Sequence, residues 1–230
     1  MIKLNMEQGS QEWHEKRLGI PTASQFDRIL TPNKLTLSKS ADKYMRELVA
    51  EYILGEPNDN FVSEPMQRGI DLELEAVKCY EFKQDVDTEK VGLCLRDDGL
   101  VGCSPDRLVG VGGGLEIKTP MAPTHIGYLI EPESLVEEYK GQVQGALYIT
   151  DAGHWDMLSY NPKMQEVIIR VYRDEKYITA LDEALDGFLE RLGLAKDKLK
   201  ALGITGFMER RLAEEAEVDE AFNENFGVSE

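Results

Sequence analysis

Between Val91 and Lys118 the chain carries four short, partly alternating apolar runs, while on both sides of them the apolar spacing is helical. The runs are Val91–Arg96, Leu100–Cys103, Arg107–Val111 and Leu115–Lys118, divided by Asp97-Asp98-Gly99 and Gly112-Gly113-Gly114. Side chains that alternate with period two, punctuated by turn-forming residues, mark the strands of a hairpin or meander. Upstream, the spacing predicts helices over Ile20–Leu30, Ala41–Leu54 and about Pro65–Phe82. The second presents Tyr44, Leu48 and Tyr52 on one stripe and stops at Gly55. Downstream, Ser134–Thr150 reads as helix, His154–Tyr160 and Glu166–Tyr172 as strands, and Tyr177–Leu192 as an amphipathic helix. Helices, strands, helix, strands, helix is the order of an α/β fold with a mixed central β-sheet flanked by helices. No repeat or linker divides residues 1–206, which read as a single domain. Residues 207–230 hold eight acids and two arginines with little apolar periodicity, so this acidic tail reads as disordered or as an oligomer contact.

Several functional classes drop out on composition. The chain has no apolar run of bilayer length and no signal-peptide core at its N-terminus, so no membrane role is expected and the protein reads as cytoplasmic. Cys79, Cys94 and Cys103 are far apart, with no Cys-x-x-Cys pair, which argues against zinc, an iron–sulfur cluster or a disulfide framework. The net charge of −17 means that a nucleic-acid partner must meet a local basic surface on an otherwise acidic exterior.

The chemistry concentrates in a few residues. Asp106 follows Ser104-Pro105 at a strand end, and Glu116-Ile117-Lys118 follows ten residues on. An aspartate and a Glu-x-Lys on neighbouring strands form the arrangement with which metal-dependent nucleases cut phosphodiesters. Two carboxylates are hard oxygen ligands for Mg²⁺. Lys118 shares a strand face with Glu116, where its amine can orient or deprotonate a water. The competing reading is a solvated edge strand carrying an ion pair. Glu73 lies in an acidic helical stretch, and Gln142 and Gln144 lie on the helix Ser134–Thr150, where a glutamine can hold a water or a phosphate. Arg17 stands just before a helix start, where a guanidinium and helix N-terminal amides make an anion pocket suited to a terminal phosphate.

Taken in order, Trp13-His14, Arg17-Leu18-Gly19, Thr22-Ala23-Ser24, Gly69 to Glu73, Cys103 to Asp106, Gly114 to Lys118, Gln142-Val143-Gln144 and Arg173 to Tyr177 resemble the motifs of the phage lambda exonuclease (YqaJ viral recombinase) family. The resemblance runs from about Glu12 to Leu192. It implies a restriction-endonuclease-like PD-(D/E)xK core and a Mg²⁺-dependent 5′→3′ exonuclease acting on linear double-stranded DNA, with two ions per site and Mn²⁺ able to substitute. By that resemblance Asp106, Glu116 and the Ile117 carbonyl are metal ligands and Lys118 is the catalytic lysine. Glu73 and Gln142 complete the site, and Arg17, Ser24 and Ser104 bind the 5′-phosphate. It also implies a ring-shaped homotrimer, a phage single-strand annealing protein as partner, and a phage or prophage origin in a bacterial host cell. The alternatives are another endonuclease of the same superfamily and a non-enzymatic acidic interaction module.

Overall fold

The computed structural model describes residues 1–58 and 64–226. The chain begins with β1 (Ile2–Leu4), α1 (Gln11–Arg17) and a 3₁₀ segment, Ala23–Arg28. Two long helices follow, α2 (Ala41–Leu54) and α3 (Glu64–Gln84). Next come β2 (Thr88–Glu89), β3 (Leu93–Leu95), β4 (Gly102–Cys103), β5 (Arg107–Val109) and β6 (Gly113–Lys118). Helices α4 (Ala122–Ile130), α5 (Glu133–Glu138) and α6 (Lys140–Thr150) connect these to β7 (His154–Ser159) and β8 (Val167–Tyr172). Finally come α7 (Glu175–Ala201) and α8 (Phe207–Phe226).

The strands make two sheets. A small antiparallel sheet has the order β1-β3-β4, and the main sheet has the order β2-β5-β6-β7-β8. Within the main sheet only β6 and β7 run parallel. A parallel pair needs a long crossover, and α4 to α6 provide it. This mixed sheet flanked by helices is the architecture expected from the element order, and it places Glu116 and Lys118 on a central strand. An edge-strand reading of Glu-x-Lys therefore fails.

Helix α6 is buried on most of its circumference. Val143, Ala146, Leu147 and Ile149 join Trp155 and Met157 of β7 and Leu181 and Phe188 of α7 in one apolar cluster. Each such fully buried side chain contributes about 1.5–3 kcal/mol. Across the sheet, Ala76 and Tyr80 of α3 pack with Leu115, Leu158 and Tyr160, joined by Ile117. A polar triad around buried Asp156 ties this side together. Asp156 of β7 accepts from Tyr80 Oη at 2.6 Å and from Arg170 Nε and Nη2, both at 2.8 Å.

Two glycines explain close approaches that the sequence left open. Gly114 pairs with Trp155 across β6 and β7, and a Cβ there would collide with the indole ring. Gly145 lets the 3₁₀ segment lie on α6, since a Cβ would stand 2.5 Å from the Phe26 ring. Of Gly112-Gly113-Gly114, only the first lies in the turn, at φ +78°, and the other two are strand.

Several element expectations shift. The helix Ser134–Thr150 breaks at Tyr139 into α5 and α6, and Ile20–Leu30 contracts to the 3₁₀ segment. Helices α1 and α4 were not foreseen, because seven and nine residues offer too few turns for a clear stripe. Residues 207–226, expected as an acidic tail, form helix α8.

Candidate active site

The acidic pair is assembled just before β5 begins, where β6 continues past it. Arg107 pairs with Leu115, so one step past the ladder the Asp106 side chain replaces a strand and accepts the Ile117 N–H at 2.6 Å. In a strand the N–H and C=O of one residue point to the same edge. The Ile117 carbonyl therefore also faces Asp106.

On the same strand, Lys118 Nζ donates to Glu116 Oε1 at 2.8 Å and to Gln142 Oε1 at 3.0 Å. Gln142 Nε2 in turn donates to Glu116 Oε1 at 2.6 Å, closing a ring of three side chains. The Lys118 ammonium also stands 4.2 Å from the centroid of the Tyr139 ring, a cation–π contact made possible by the break between α5 and α6.

The charges in this ring are unevenly compensated. Burial, and after it the Glu116 carboxylate, push the Asp106 carboxyl well above the usual range, against the Ile117 N–H and the Lys118 charge. Burial pulls the Lys118 amine down, but the charge and hydrogen bond of Glu116 outweigh it and leave the amine raised, hence cationic. Two enclosed carboxylates thus share one ammonium. Asp106, Glu116 and the Ile117 carbonyl are hard oxygen donors with a deficit of positive charge, which fits a divalent cation.

Glu73 of α3 comes alongside but faces another partner. Its Oε1 accepts from Arg107 Nη1 at 2.6 Å, and Lys90 Nζ stands 3.9 Å away. Arg107 also donates to the Asp106 carbonyl. Among the described residues no three His, Cys, Asp or Glu side chains gather as a metal cluster.

Arg17, Ser24 and Ser104 form the second part of the site. Arg17 is the last residue of α1 and precedes the 3₁₀ segment capped by Thr22, and its direct partners there are the side-chain hydroxyls of Ser104 and Thr22. Arg17 Nη1 donates to Ser104 Oγ at 2.8 Å and Nη2 to Thr22 Oγ1 at 3.5 Å, while Ser24 Oγ lies 3.5 Å from Thr22 Oγ1. Burial lowers the guanidinium, with Tyr44 and Glu51 opposing, yet its terminal nitrogens go to hydroxyls and not to a carboxylate. A half-buried cation with no acid in contact is what an anion site requires.

Both parts open on one small cleft of about 40 Å³, lined by Arg17, Thr22, Ser24, Ser104, Glu116 and Gln142 among others. Sequence reasoning did not single out the individual roles of Thr22, Arg107, Tyr139 and Trp13. Thr22 and Trp13 stand inside quoted motifs, and Arg107 directly follows Asp106. Tyr139, three residues before Gln142, was noted only as sharing its face.

Comparisons with known proteins bear on the family and the fold. The model of a family described as a YqaJ-like viral recombinase domain matches residues 12–153. An alkaline exonuclease (LHK-Exo) from Laribacter hongkongensis is 31% identical, with a TM-score of 0.75 over 84% of this chain and 98% of that one. LHK-Exo in complex with dAMP matches at 30% identity and the same TM-score and coverage. A phage-related exonuclease from Haemophilus somnus is 14% identical over 78% of this chain and 96% of that one. Its TM-score of 0.63 speaks to the fold alone. No curated protein matches at a significant level. The fold is restriction-endonuclease-like, a mixed sheet between helices. No helix of the described residues is long and apolar enough to cross a membrane.

Proposed function

The chain belongs to the YqaJ-like viral recombinase domain family, and from that membership we propose that it is a Mg²⁺-dependent 5′→3′ exonuclease of linear double-stranded DNA. The observation that carries the reading is the shared cleft. Half-buried Arg17, with its hydroxyl partners, faces the same small space as Glu116 and Gln142 of the carboxylate–lysine ring. An anion anchor next to a hydrolytic ring suits a substrate held by its terminal phosphate and cut close to it. The alkaline exonuclease from Laribacter hongkongensis, 31% identical, supports a nuclease role. Its complex with dAMP, a deoxynucleoside monophosphate, is consistent with release of 5′-mononucleotides.

In this mechanism Arg17 holds the 5′-phosphate, with Ser24 and Ser104 supplying hydroxyl contacts. Lys118 and Gln142 orient the attacking water from Nζ and the side-chain amide, and Tyr139 keeps the ammonium over that position. Asp106, Glu116 and the Ile117 carbonyl would hold a divalent ion, with Glu73 available to a second. A divalent ion held there would supply Lewis-acid polarisation of the phosphate and charge to offset the developing oxyanion. The cleaved 3′-oxygen leaves, and the released nucleotide keeps its 5′-phosphate. Contacts to phosphates carry no sequence information, so digestion proceeds without base preference. The remaining 3′ single strand is the substrate of a phage-type annealing protein, and a homotrimeric ring around the duplex accounts for continued digestion.

The test is a linear duplex phosphorylated at the 5′ end of one strand only, incubated with Mg²⁺ or with EDTA beside a closed circle. Loss of the phosphorylated strand, with Mg²⁺ alone and never from the circle, is the expected result. Digestion of the circle points instead to an endonuclease. No digestion by folded protein leaves an acidic interaction module.

A further inference from the structure

Beyond the groups that face the cleft, one side chain joins its parts from behind. Trp13 of α1 is half-buried, and its indole N–H is shared between the Gly92 carbonyl at 3.0 Å and Ser104 Oγ at 3.1 Å. The face of the same ring carries the Arg17 guanidinium, 4.0 Å from the centroid. Trp13 therefore touches both the cation and the hydroxyl of the anion pocket, and anchors them to the turn before β3. Gln8 repeats the pattern one residue before Gly92 on one segment and one residue after Ser104 on the other. Its Nε2 donates to the Val91 carbonyl at 2.9 Å and to the Pro105 carbonyl at 2.8 Å.

We propose that Trp13 is a positioning residue that sets the selectivity for 5′-phosphorylated ends, by fixing the Ser104 hydroxyl and the Arg17 guanidinium relative to each other. This rests on the exonuclease reading above. A serine hydroxyl is one rotor with one proton. Arg17 and Trp13 both donate to Ser104 Oγ, so both of its lone-pair directions are used and its own proton is left to point into the cleft. A phosphate oxygen there meets a hydroxyl already turned to donate. The cation–π contact does the same for Arg17, limiting the rotamers of a long side chain that no carboxylate holds. Removing the indole N–H frees the hydroxyl to rotate and weakens phosphate binding without touching the carboxylate–lysine ring.

The experiment compares wild type and Trp13→Phe on duplexes that differ only in a 5′-phosphoryl or 5′-hydroxyl end, reading KM and kcat for each. The phenyl ring keeps a face for Arg17 and loses the donor. The expected result is a rise in KM for phosphorylated ends, and a fall of about 3- to 10-fold in the phosphoryl-to-hydroxyl preference, the size of one neutral hydrogen bond. If Trp13→Phe melts early, benzothienylalanine at position 13 keeps the bicyclic shape and removes only the N–H. A wild-type preference that persists unchanged in the variant overturns the inference and leaves the exonuclease reading intact. An equal loss on both ends shows a structural role and overturns it as well. Wild type without any end preference removes the anion pocket, and both readings fall together.

Discussion

Arg170→Met is the substitution whose cost the structure defines most closely. The Asp156 carboxylate is 1% exposed and takes all its hydrogen bonds from Arg170 and Tyr80. Burial pushes this carboxyl up, but the hydrogen bonds of Arg170 and Tyr80 outweigh it, and the net shift is downward. Its folded value thus lies below the unfolded one of about 3.9. The pair contributes stability above that pH and loses it on acidification through the lower folded value. Removing the arginine strands a buried charge, which costs about 3–5 kcal/mol. Because 44% of the Arg170 side chain is exposed, the pair is partly screened and the lower end, about 3 kcal/mol, applies. In a domain of this size that is a fall of roughly 6–12 °C in Tm. Removing the acid instead, by Asp156→Asn, leaves Tyr80 a carbonyl to donate to and lets Arg170 turn to water, at a cost of about 1–2 kcal/mol. In the Asp156→Asn background Arg170→Met should then cost under about 1 kcal/mol. The assay is urea unfolding of the four proteins between pH 5 and pH 8, where the Arg170→Met deficit should shrink as pH falls and the stranded carboxyl takes up a proton. A cost in wild type no larger than in the Asp156→Asn background would refute the argument.

The other expectations concern the cleft. Asp106→Asn keeps an oxygen for the Ile117 N–H and removes a charge that burial and Glu116 disfavour, so without metal it should stabilise by about 1 kcal/mol, roughly 2–4 °C. Melting in EDTA at alkaline pH checks this, and the gain should fade on acidification as the wild-type carboxyl, held above the usual range, protonates. Lys118→Ala should lower the hydrolysis rate by about 10²- to 10⁴-fold while a gel shift still shows DNA binding. Arg17→Ala should reduce the preference for 5′-phosphorylated ends by about 10- to 100-fold, measured on matched substrates. Gly114→Ala forces a methyl into the Trp155 ring and should cost about 1–3 kcal/mol by thermal melting, although it touches no reacting group.

Much of this was visible in the residues because local rules and global packing agree. The stripe of Tyr44 and Leu48 ends at Gly55, and the helix does stop there, with Gly55 at φ +78°. Glu116 and Lys118 alternate around Ile117, and the structure turns the two charges together and Ile117 into the apolar layer under α3. The glycines before them were legible only as a loop. The reason for Gly114 is Trp155, more than forty positions away, and no local pattern reveals a partner in a parallel strand. Arg17 was legible as standing before a helix start, which the 3₁₀ segment capped by Thr22 provides, but α1, which carries it, is too short and polar to show in the spacing. Glu73 was recognisable as an acid on a helix, but its pairing with Arg107 depends on how α3 crosses the sheet.

The division into two sheets gives the cleft walls of unequal stiffness. One wall hangs from β6, held by neighbours on both sides in the main sheet. The other hangs from β4, two residues long, whose small sheet is completed by three N-terminal residues. Pairings of two or three residues open at lower free energy than a central strand. On warming, the grip on the end of a polymer should loosen before the cutting edge does. A worn clamp and a sound blade then share one molecule, and accuracy in choosing where to begin fails at a lower temperature than the capacity to cut.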